Sequence, residues 1–426
     1  MIAITAETAP ALGAAAGRLR SALESRTDWT SADVALTLSR HRGHFTAYAL
    51  VPDDDRVGLL QALHDIERGN ETPAYTVGQV KPRGRLAFCF AGQGAQQPGM
   101  GRELYETFPV FRTAVEEIAG KLESAFGSSL LEVMFAERGT SEARLLDRTQ
   151  YTQPTMFILE VALFRLLRSW GVQPDFLVGY SFGEVAAAYT AGVWSLDDAC
   201  RFVAERVRVV EDLPPGGAMY VLTAPEDVVE PLLRGTRGRA CIAAGTADCV
   251  IISGDEEATR AVADAVKAAG HRAWRARVSH AFHSPLMEPA AAHFREAIKG
   301  LHYSAPDIPM VSNVTGTLVD PSGICDPDYW VRHLCDKARV GDGLDAVMRE
   351  GVSVFVEIGP CAQLSAVAPS AFGPGKDALA VPVMERRGSE RAAVLAAMTS
   401  LHVQGVEVDW DAVYEPFGAR VLDLYA

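Results

Sequence analysis

Hydrophobic positions along the chain follow two periods, and the alternation between them predicts the fold. From residue 9 to 26, "APALGAAAGRLRSALESR" places apolar residues at helical spacing with arginines on the other face. "FTAYALVPDDDRVGLLQALHDIERGN" predicts a strand, an acidic turn that caps a helix, and the helix itself. The polar stretch Asn70–Arg85, rich in Pro and Gly, reads as a linker, so residues 1–84 form a small α/β unit. Beyond it, Leu86–Phe90 is apolar on all sides, as a strand covered on both faces of a parallel sheet must be. Glu103–Leu167 is mainly helical. "DFLVG" (Asp175–Gly179) predicts a second buried strand, and "EVAAAYTAG" and "LDDACRFVAERVRVVED" predict helices. Pro214–Gly217 breaks the chain. After the break, "AMYVLTA", a helix, "ACIAAGTADCVIISG", a helix and "HRAWRARVSH" follow the order of a split βαβ unit. From His283 onward, "IPMVSNV" and "VSVFVEIG" predict further strands, and Val381–Ala426 is expected to return along the surface. The whole reads as an α/β protein with an insertion.

Composition narrows the partners. With 426 residues the chain can hold two or three domains, and 48% hydrophobic with 22% charged residues is ordinary for a globular protein. A formal net charge of −14 argues against nucleic acid or an anionic membrane as the main partner. No apolar run reaches bilayer length, and the N-terminus lacks a basic leader and carries Glu7. Seven scattered cysteines without a CxxC pair suit a reduced compartment. A cytoplasmic location is expected.

In "LVGYSFGEVAAAYTAG" (Leu177–Gly192) a serine sits between glycines, after a buried strand and before a helix. Ser181 is either a helix cap, the routine role of such a residue, or a nucleophile on a strand–turn–helix elbow. In the second reading Gly179 and Gly183 leave room for the turn. The helix N-terminus then directs its N–H groups and positive dipole end toward a developing oxyanion. A serine hydroxyl also needs a base. "VSHAFHSPLMEP" sets His280 and His283 at the end of a strand-like segment, although a polar surface position is the ordinary reading of either. An HxxH metal site needs a shared helical face and a third ligand. Pro285 speaks against that here, and His41 and His44 have no evident third ligand, so no metal is expected.

In "FVAERVRVV", Arg206 and Arg208 lie among valines, so one of them must snorkel or turn from bulk water. A buried guanidinium beside the nucleophile would hold a carboxylate in a two-pronged grip. The loop "AGQGAQQPGMG" fails as a nucleotide fingerprint, because Gln97 stands where the third glycine belongs and no GK[ST] follows. It would instead bring a backbone N–H, that of Gln93, close to the serine.

Six segments, in order and spacing, resemble the malonyl-CoA:acyl carrier protein transacylases, specifically the acyltransferase domains of modular polyketide synthases. They are "GQGAQ" (Gly92–Gln96), "RTQYTQP" (Arg148–Pro154), "GYSFGE" (Gly179–Glu184), Arg206, "HAFHSPLM" (His280–Met287) and "EIGP" (Glu357–Pro360). The resemblance runs from about Leu86 to the C-terminus. It implies an α/β-hydrolase-like large subdomain with a parallel sheet (residues 85–215 and 283–380) and an inserted ferredoxin-like small subdomain (216–282). Residues 1–84 resemble the linker domain between a ketosynthase and its acyltransferase, and 381–426 the linker that follows.

The resemblance also implies roles. Ser181 is the expected nucleophile and His283 the base, oriented by a backbone carbonyl near His333. The N–H groups of Gln93 and Phe182 form the expected oxyanion hole. Arg206 is expected to clamp the free carboxylate of a malonyl-type group, while His280 and Phe282 belong to the selectivity motif. In this family "HAFH" accompanies malonyl and "YASH" methylmalonyl, with Phe282 filling the space an α-methyl branch needs. Tyr180 replaces the histidine of the usual GHSxG and is expected to line the pocket and bear on the acyl group. The expected partners are an acyl carrier protein, an acyl-CoA and an adjacent ketosynthase, with no cofactor, nucleic acid or membrane. Lys81, Arg83 and Arg85 are basic candidates for a carrier-protein footprint, against the plainer reading of a solvated linker. Three other functions stay open at this point: a thioester hydrolase using the same dyad, a freestanding enzyme moving a preassembled acyl group, and a docking module with a vestigial site.

Overall fold

The computed structural model of the chain describes residues 1–40, 45–52, 55–80, 84–127, 129–214, 216–246, 248–363 and 378–424. His41, His44, Lys81 and Arg83 therefore lie outside the described residues.

At the N-terminus β1 (Ile2–Ala6) pairs antiparallel with β2 (Ala47–Val51), and β2 with β3 (Thr76–Gln79). The helices Ala9–Ser25 and Arg56–Arg68 accompany this sheet, each started by a side-chain cap, Thr8 on Ala11 N and Asp55 on Gly58 N. β3 corrects the reading of Asn70–Arg85 as a linker. It is an edge strand whose side chains are largely exposed, so its polar sequence hides it.

β4 (Arg85–Phe90) and β5 (Phe176–Gly179) run parallel and side by side. The chain then leaves for a separate antiparallel sheet of β6 (Ala218–Leu222), β7 (Ala240–Thr246), β8 (Cys249–Gly254) and β9 (Ala273–Arg275), ordered β7-β8-β6-β9. With the helices Glu226–Arg234 and Glu256–Ala268 this is a split βαβ unit, β-α-β-β-α-β. The chain returns to add β10 (Val352–Ile358) and β11 (Leu379–Pro382), completing a parallel sheet ordered β11-β10-β4-β5. The fold is α/β, with a four-stranded parallel sheet, a four-stranded antiparallel sheet and the three-stranded N-terminal sheet.

Strand alternation divides the core. Leu86, Phe88, Phe90 and Leu177 face the main cluster, while Ala87, Cys89, Phe176 and Val178 face a second one that includes Ala244, Val340 and Leu344. "IPMVSNV" does not become a strand. Met310 makes one parallel bridge to Leu177 and Val311 one antiparallel bridge to Leu318, after which Ser312 and Asn313 turn polar groups into the interior. The C-terminal stretch does more than return along the surface, since β11 extends the large sheet and the helix Glu390–Val403 buries Val394, Met398 and Leu401. Among the described residues no helix is long and apolar enough to cross a membrane.

Candidate active site

β5 ends at Gly179 and a helix starts at Gly183 (Gly183–Thr190), so the chain reverses around Ser181. Both glycines are required. A Cβ at Gly179 would lie 2.2 Å from Glu184 Cα, and one at Gly183 would lie 2.4 Å from Phe90 O. Ser181 itself takes φ 51°, a left-handed conformation that a serine adopts only when its surroundings impose it.

Its Oγ lies 2.6 Å from His283 Nε2, and His283 Nδ1 lies 2.8 Å from the Asp336 carbonyl oxygen. A carbonyl only accepts, so Nδ1 carries the proton and Nε2 is left to accept from the serine hydroxyl, the tautomer a general base requires. His283 is 3% exposed. That burial brings its pKa down to about 4; the Arg206 charge adds to the effect and the Asp336 carbonyl opposes it. The ring is therefore neutral near pH 7.

The orienting carbonyl corrects the expectation placed on His333. The helix Pro327–Cys335 ends one residue before Asp336, whose extended backbone (ψ 160°) swings its carbonyl out of the helical ladder toward the histidine. His333 is still inside the last turn, and its ring goes elsewhere, with Nε2 3.1 Å from Ser181 O.

The backbone N–H groups of Gln93 and Phe182 have no hydrogen-bond partner among the described residues. Phe182 is the N-cap of the helix, where the dipole adds to the donor. Gln93 side-chain Oε1 accepts from Gln153 Nε2 at 3.2 Å, and Gln153 Oε1 accepts from Arg206 Nη1 at 3.1 Å.

The two arginines among valines part ways. Arg208 is half-exposed and pairs with Glu205 at 2.8 Å, whereas Arg206 is 1% exposed and has no carboxylate partner among the described residues. Burial lowers its pKa to about 10, so it stays cationic. Its guanidinium carbon sits 5.6 Å from the Phe182 ring centroid and 5.5 Å from that of Phe282, and Nε has no partner among the described residues. A buried cation held by one neutral amide and two ring faces is short of an anion. His280 packs edge-on to Phe282, centroids 6.2 Å apart, with Nδ1 3.0 Å from Ser279 Oγ.

Tyr180 does not join this group. Alternation along β5 sends its ring to the second cluster with Cys89 and Val178, against Gly92, where a Cβ would lie 2.5 Å from Tyr180 Cδ1. Burial, with the Cys249 thiol as a lesser neighbour, raises its phenol pKa. The expectation that Tyr180 lines the acyl pocket with Phe282 is thereby corrected. Gln153 and Asn313 were missed by sequence reasoning. Their signal was a fully buried polar residue inside an apolar run, Gln153 before "PTMFIL" and Asn313 after "IPMV".

A dyad, two N–H donors and a buried cation, the last three without a hydrogen-bond partner among the described residues save the Gln153 amide on the cation, suit acyl transfer, and the chain's relatives agree. Residues 87–408 match the family model described as acyl transferase domain. The chain is 42% identical over 426 residues to polyketide synthase GfsA of Streptomyces halstedii, covering 99% of this chain but only 6% of that protein. The acyltransferase domain from the second module of the salinomycin polyketide synthase matches with TM-score 0.78 and 42% identity, covering 99% of this chain and 98% of that one. A type II PKS acyl-carrier protein in complex with its malonyl-transacylase (PlMCAT:AntF) matches with TM-score 0.64 and 28% identity, covering 74% and 99%. The chain thus belongs to the acyl transferase domain family, and its relatives are acyltransferase regions of polyketide synthases.

Proposed function

We propose that the chain loads a malonyl-type acyl group from coenzyme A, through an acyl-Ser181 intermediate, onto the phosphopantetheine thiol of an acyl carrier protein. The observation that carries this reading is Arg206, a buried guanidinium beside the Ser181 dyad with no carboxylate partner among the described residues. An acyl group with a free carboxylate supplies the missing anion; a simple acetyl group leaves the charge unpaired.

In the first half-reaction His283 Nε2 takes the Ser181 proton as Oγ attacks the thioester carbonyl, and the N–H groups of Gln93 and Phe182 receive the oxyanion. The tetrahedral species collapses, and His283 returns the proton to the departing coenzyme A thiolate. In the second, His283 takes the carrier thiol's proton, the thiolate attacks the acyl-serine carbonyl, and Ser181 leaves with the proton. No step needs a cofactor. Phe282 beside the guanidinium restricts room at the α-carbon, which favours malonyl over methylmalonyl. The relative that is named as a malonyl-transacylase bound to a carrier protein supports both the acyl class and the partner. We place the chain beside a ketosynthase, since it spans a small part of the synthase it matches.

Intact-protein mass after brief mixing with malonyl-, methylmalonyl- and acetyl-CoA tests this, with Ser181→Ala as control. A malonyl adduct on the wild type alone is expected. An acetyl adduct of equal yield would remove the role of Arg206, and free malonate without an adduct would make the enzyme a hydrolase.

A further inference from the structure

Beneath the nucleophile lies a closed polar cluster that the mechanism above does not use. Asn313 side-chain Oδ1 accepts the Ser181 backbone N–H at 3.1 Å, and its Nδ2 donates to the Gly179 carbonyl at 2.7 Å. One amide therefore grips the chain on both sides of Tyr180. Asn313 is held in turn by Glu184 Oε2, which accepts both its Nδ2 and, at 2.7 Å, its backbone N–H. The other oxygen, Glu184 Oε1, accepts from the Tyr329 hydroxyl, itself 2.8 Å from Ser312 Oγ. From the opposite side, Ser181 O accepts from His333 Nε2 and from Glu184 N.

Around the half-buried Ser181 the other groups are buried, Glu184 at 0% exposure and Asn313 at 2%. Glu184 sits in the first turn of the helix that the elbow starts, and Asn313 sits at the end of a segment bridged to β5. Buried polar groups earn a place only when their partners are complete, and here every donor of Asn313 has an acceptor. The conformation they surround, Ser181 at φ 51°, is one that a serine does not hold by itself.

Building on the acyl-serine reading, we propose that Asn313, locked in place by Glu184, is the positioning residue that holds Ser181 in its left-handed conformation and thereby aims Oγ at His283 Nε2. Neither residue touches the acyl group. The pair acts on the rate of acyl transfer and leaves substrate binding, which belongs to Arg206 and Phe282, as it was. Glu184→Gln fits the same cluster. Its oxygen can face Asn313 while its NH2 donates to the Tyr329 oxygen, whose own proton then goes to Ser312 Oγ.

The test is single-turnover acylation, followed by intact mass over a range of malonyl-CoA concentrations, for Asn313→Ala, Asn313→Asp and Glu184→Gln. A serine-directed phosphonofluoridate is run in parallel, because it needs a reactive Ser181 and no acyl pocket. Misplacing a reacting group by about 1 Å costs on the order of 100-fold. Asn313→Ala is expected to lower the limiting rate about 100-fold with both reagents. Asn313→Asp, which keeps the oxygen on Ser181 N–H but loses the donor to both Gly179 and Glu184 and sets two carboxyl groups side by side, lowers it at least about tenfold, and Glu184→Gln stays within about fivefold of wild type. The malonyl-CoA dissociation constant is expected to move less than twofold throughout. Unchanged rates in both Asn313 variants, or a loss confined to the dissociation constant, would overturn the proposal. If Asn313→Ala does not fold, Asn313→Asp decides alone. Wild type that reacts with the phosphonofluoridate but not with malonyl-CoA overturns the malonyl reading, while the positioning role is still decided by the phosphonofluoridate rates.

Discussion

Ser181 and His283 share a backbone conformation that neither side chain favours, φ 51° and 57°, while their side chains meet at 2.6 Å. Among the described residues only Arg237 is another non-glycine with positive φ. Strain of this kind costs about 1–3 kcal/mol per residue and persists where surrounding contacts enforce it. Here it falls on both members of the dyad, and it orients two side chains that approach from segments far apart in the chain.

With His283 as the base of the proposed transfer, its lowered pKa should set the acid limit of acylation. Burial is its main cause, and the folded value is about 4 against an ordinary 6.5. Single-turnover acylation by malonyl-CoA should stay level from pH 8 to about 5 and fall to half near 4. Stability follows with a definite sign. The unfolded chain takes up a proton below 6.5 that folded His283 refuses, so this contribution is complete above 6.5 and is lost as pH falls toward 4. His333, also held well below its ordinary value by burial, acts in the same direction. A rate profile with its midpoint at 6.5 would show that the base is not buried as described.

Replacing Arg206 should change which acid is chosen more than whether Ser181 reacts. Removing one partner of a buried, hydrogen-bonded charge pair costs about 2–5 kcal/mol. Arg206→Met is therefore expected to slow malonyl loading by about two to three orders of magnitude and to leave acetyl loading equal or faster. The ratio of the two adducts in a competition experiment measures this directly. A ratio that does not move removes the guanidinium from substrate recognition.

Phe282 and Tyr180 make opposite demands. Phe282 faces the Arg206 guanidinium, whereas Tyr180 packs against Gly92 and the second cluster. Phe282→Ser should raise methylmalonyl loading relative to malonyl by about 10–100-fold, the range that one added methyl commands in an apolar pocket. Tyr180→His should shift the same ratio less than threefold. If the tyrosine variant moved the ratio as far as the phenylalanine variant, the assignment of the two side chains to separate faces would be wrong.

Glu160 is fully buried in the helix Thr149–Ser169, and neither of its carboxyl oxygens has a partner among the described residues. Burial holds its pKa well above the ordinary 4.5. Its cost is therefore absent below that value, where both states are protonated, and grows as pH rises. Glu160→Leu should stabilise the protein by about 1–3 kcal/mol near neutral pH. The gain in Tm should shrink on acidification, and a Tm difference independent of pH would mean that the carboxyl is paired.

How much of this was legible in the sequence can be judged residue by residue. The elbow was, because strand, glycines and helix around Ser181 are contiguous and each obeys a local rule. The burial of one arginine in "FVAERVRVV" was also legible, since two arginines among valines cannot both face water. What could not be read was which carbonyl orients His283. That depends on where the helix Pro327–Cys335 stops, and the choice between His333 and Asp336 turns on less than one helical turn. Asn313 was hidden for a different reason. Its partners at Ser181 and Gly179 are more than 130 residues away, and an apolar run interrupted by "SN" looks like a strand until its polar groups are placed. Tyr180 followed the period of two that its strand imposes, a rule available from the start but outweighed by its position next to Ser181.

The closing stretch of the chain bears on how this unit could be moved between proteins. Asp409 N donates to Trp170 O at 2.8 Å, Arg420 N to Asp33 Oδ1 at 2.8 Å, and Leu422 N to Thr37 Oγ1 at 2.9 Å. The last residues thus stitch the first unit to the body that carries Ser181. A cut at residue 84 or at 380 divides one seam shared by three parts and exposes Leu401, Trp410 and their neighbours to water. Junctions for moving this unit between proteins therefore belong outside both flanking segments, and the smallest portable piece is larger than the family match alone would suggest.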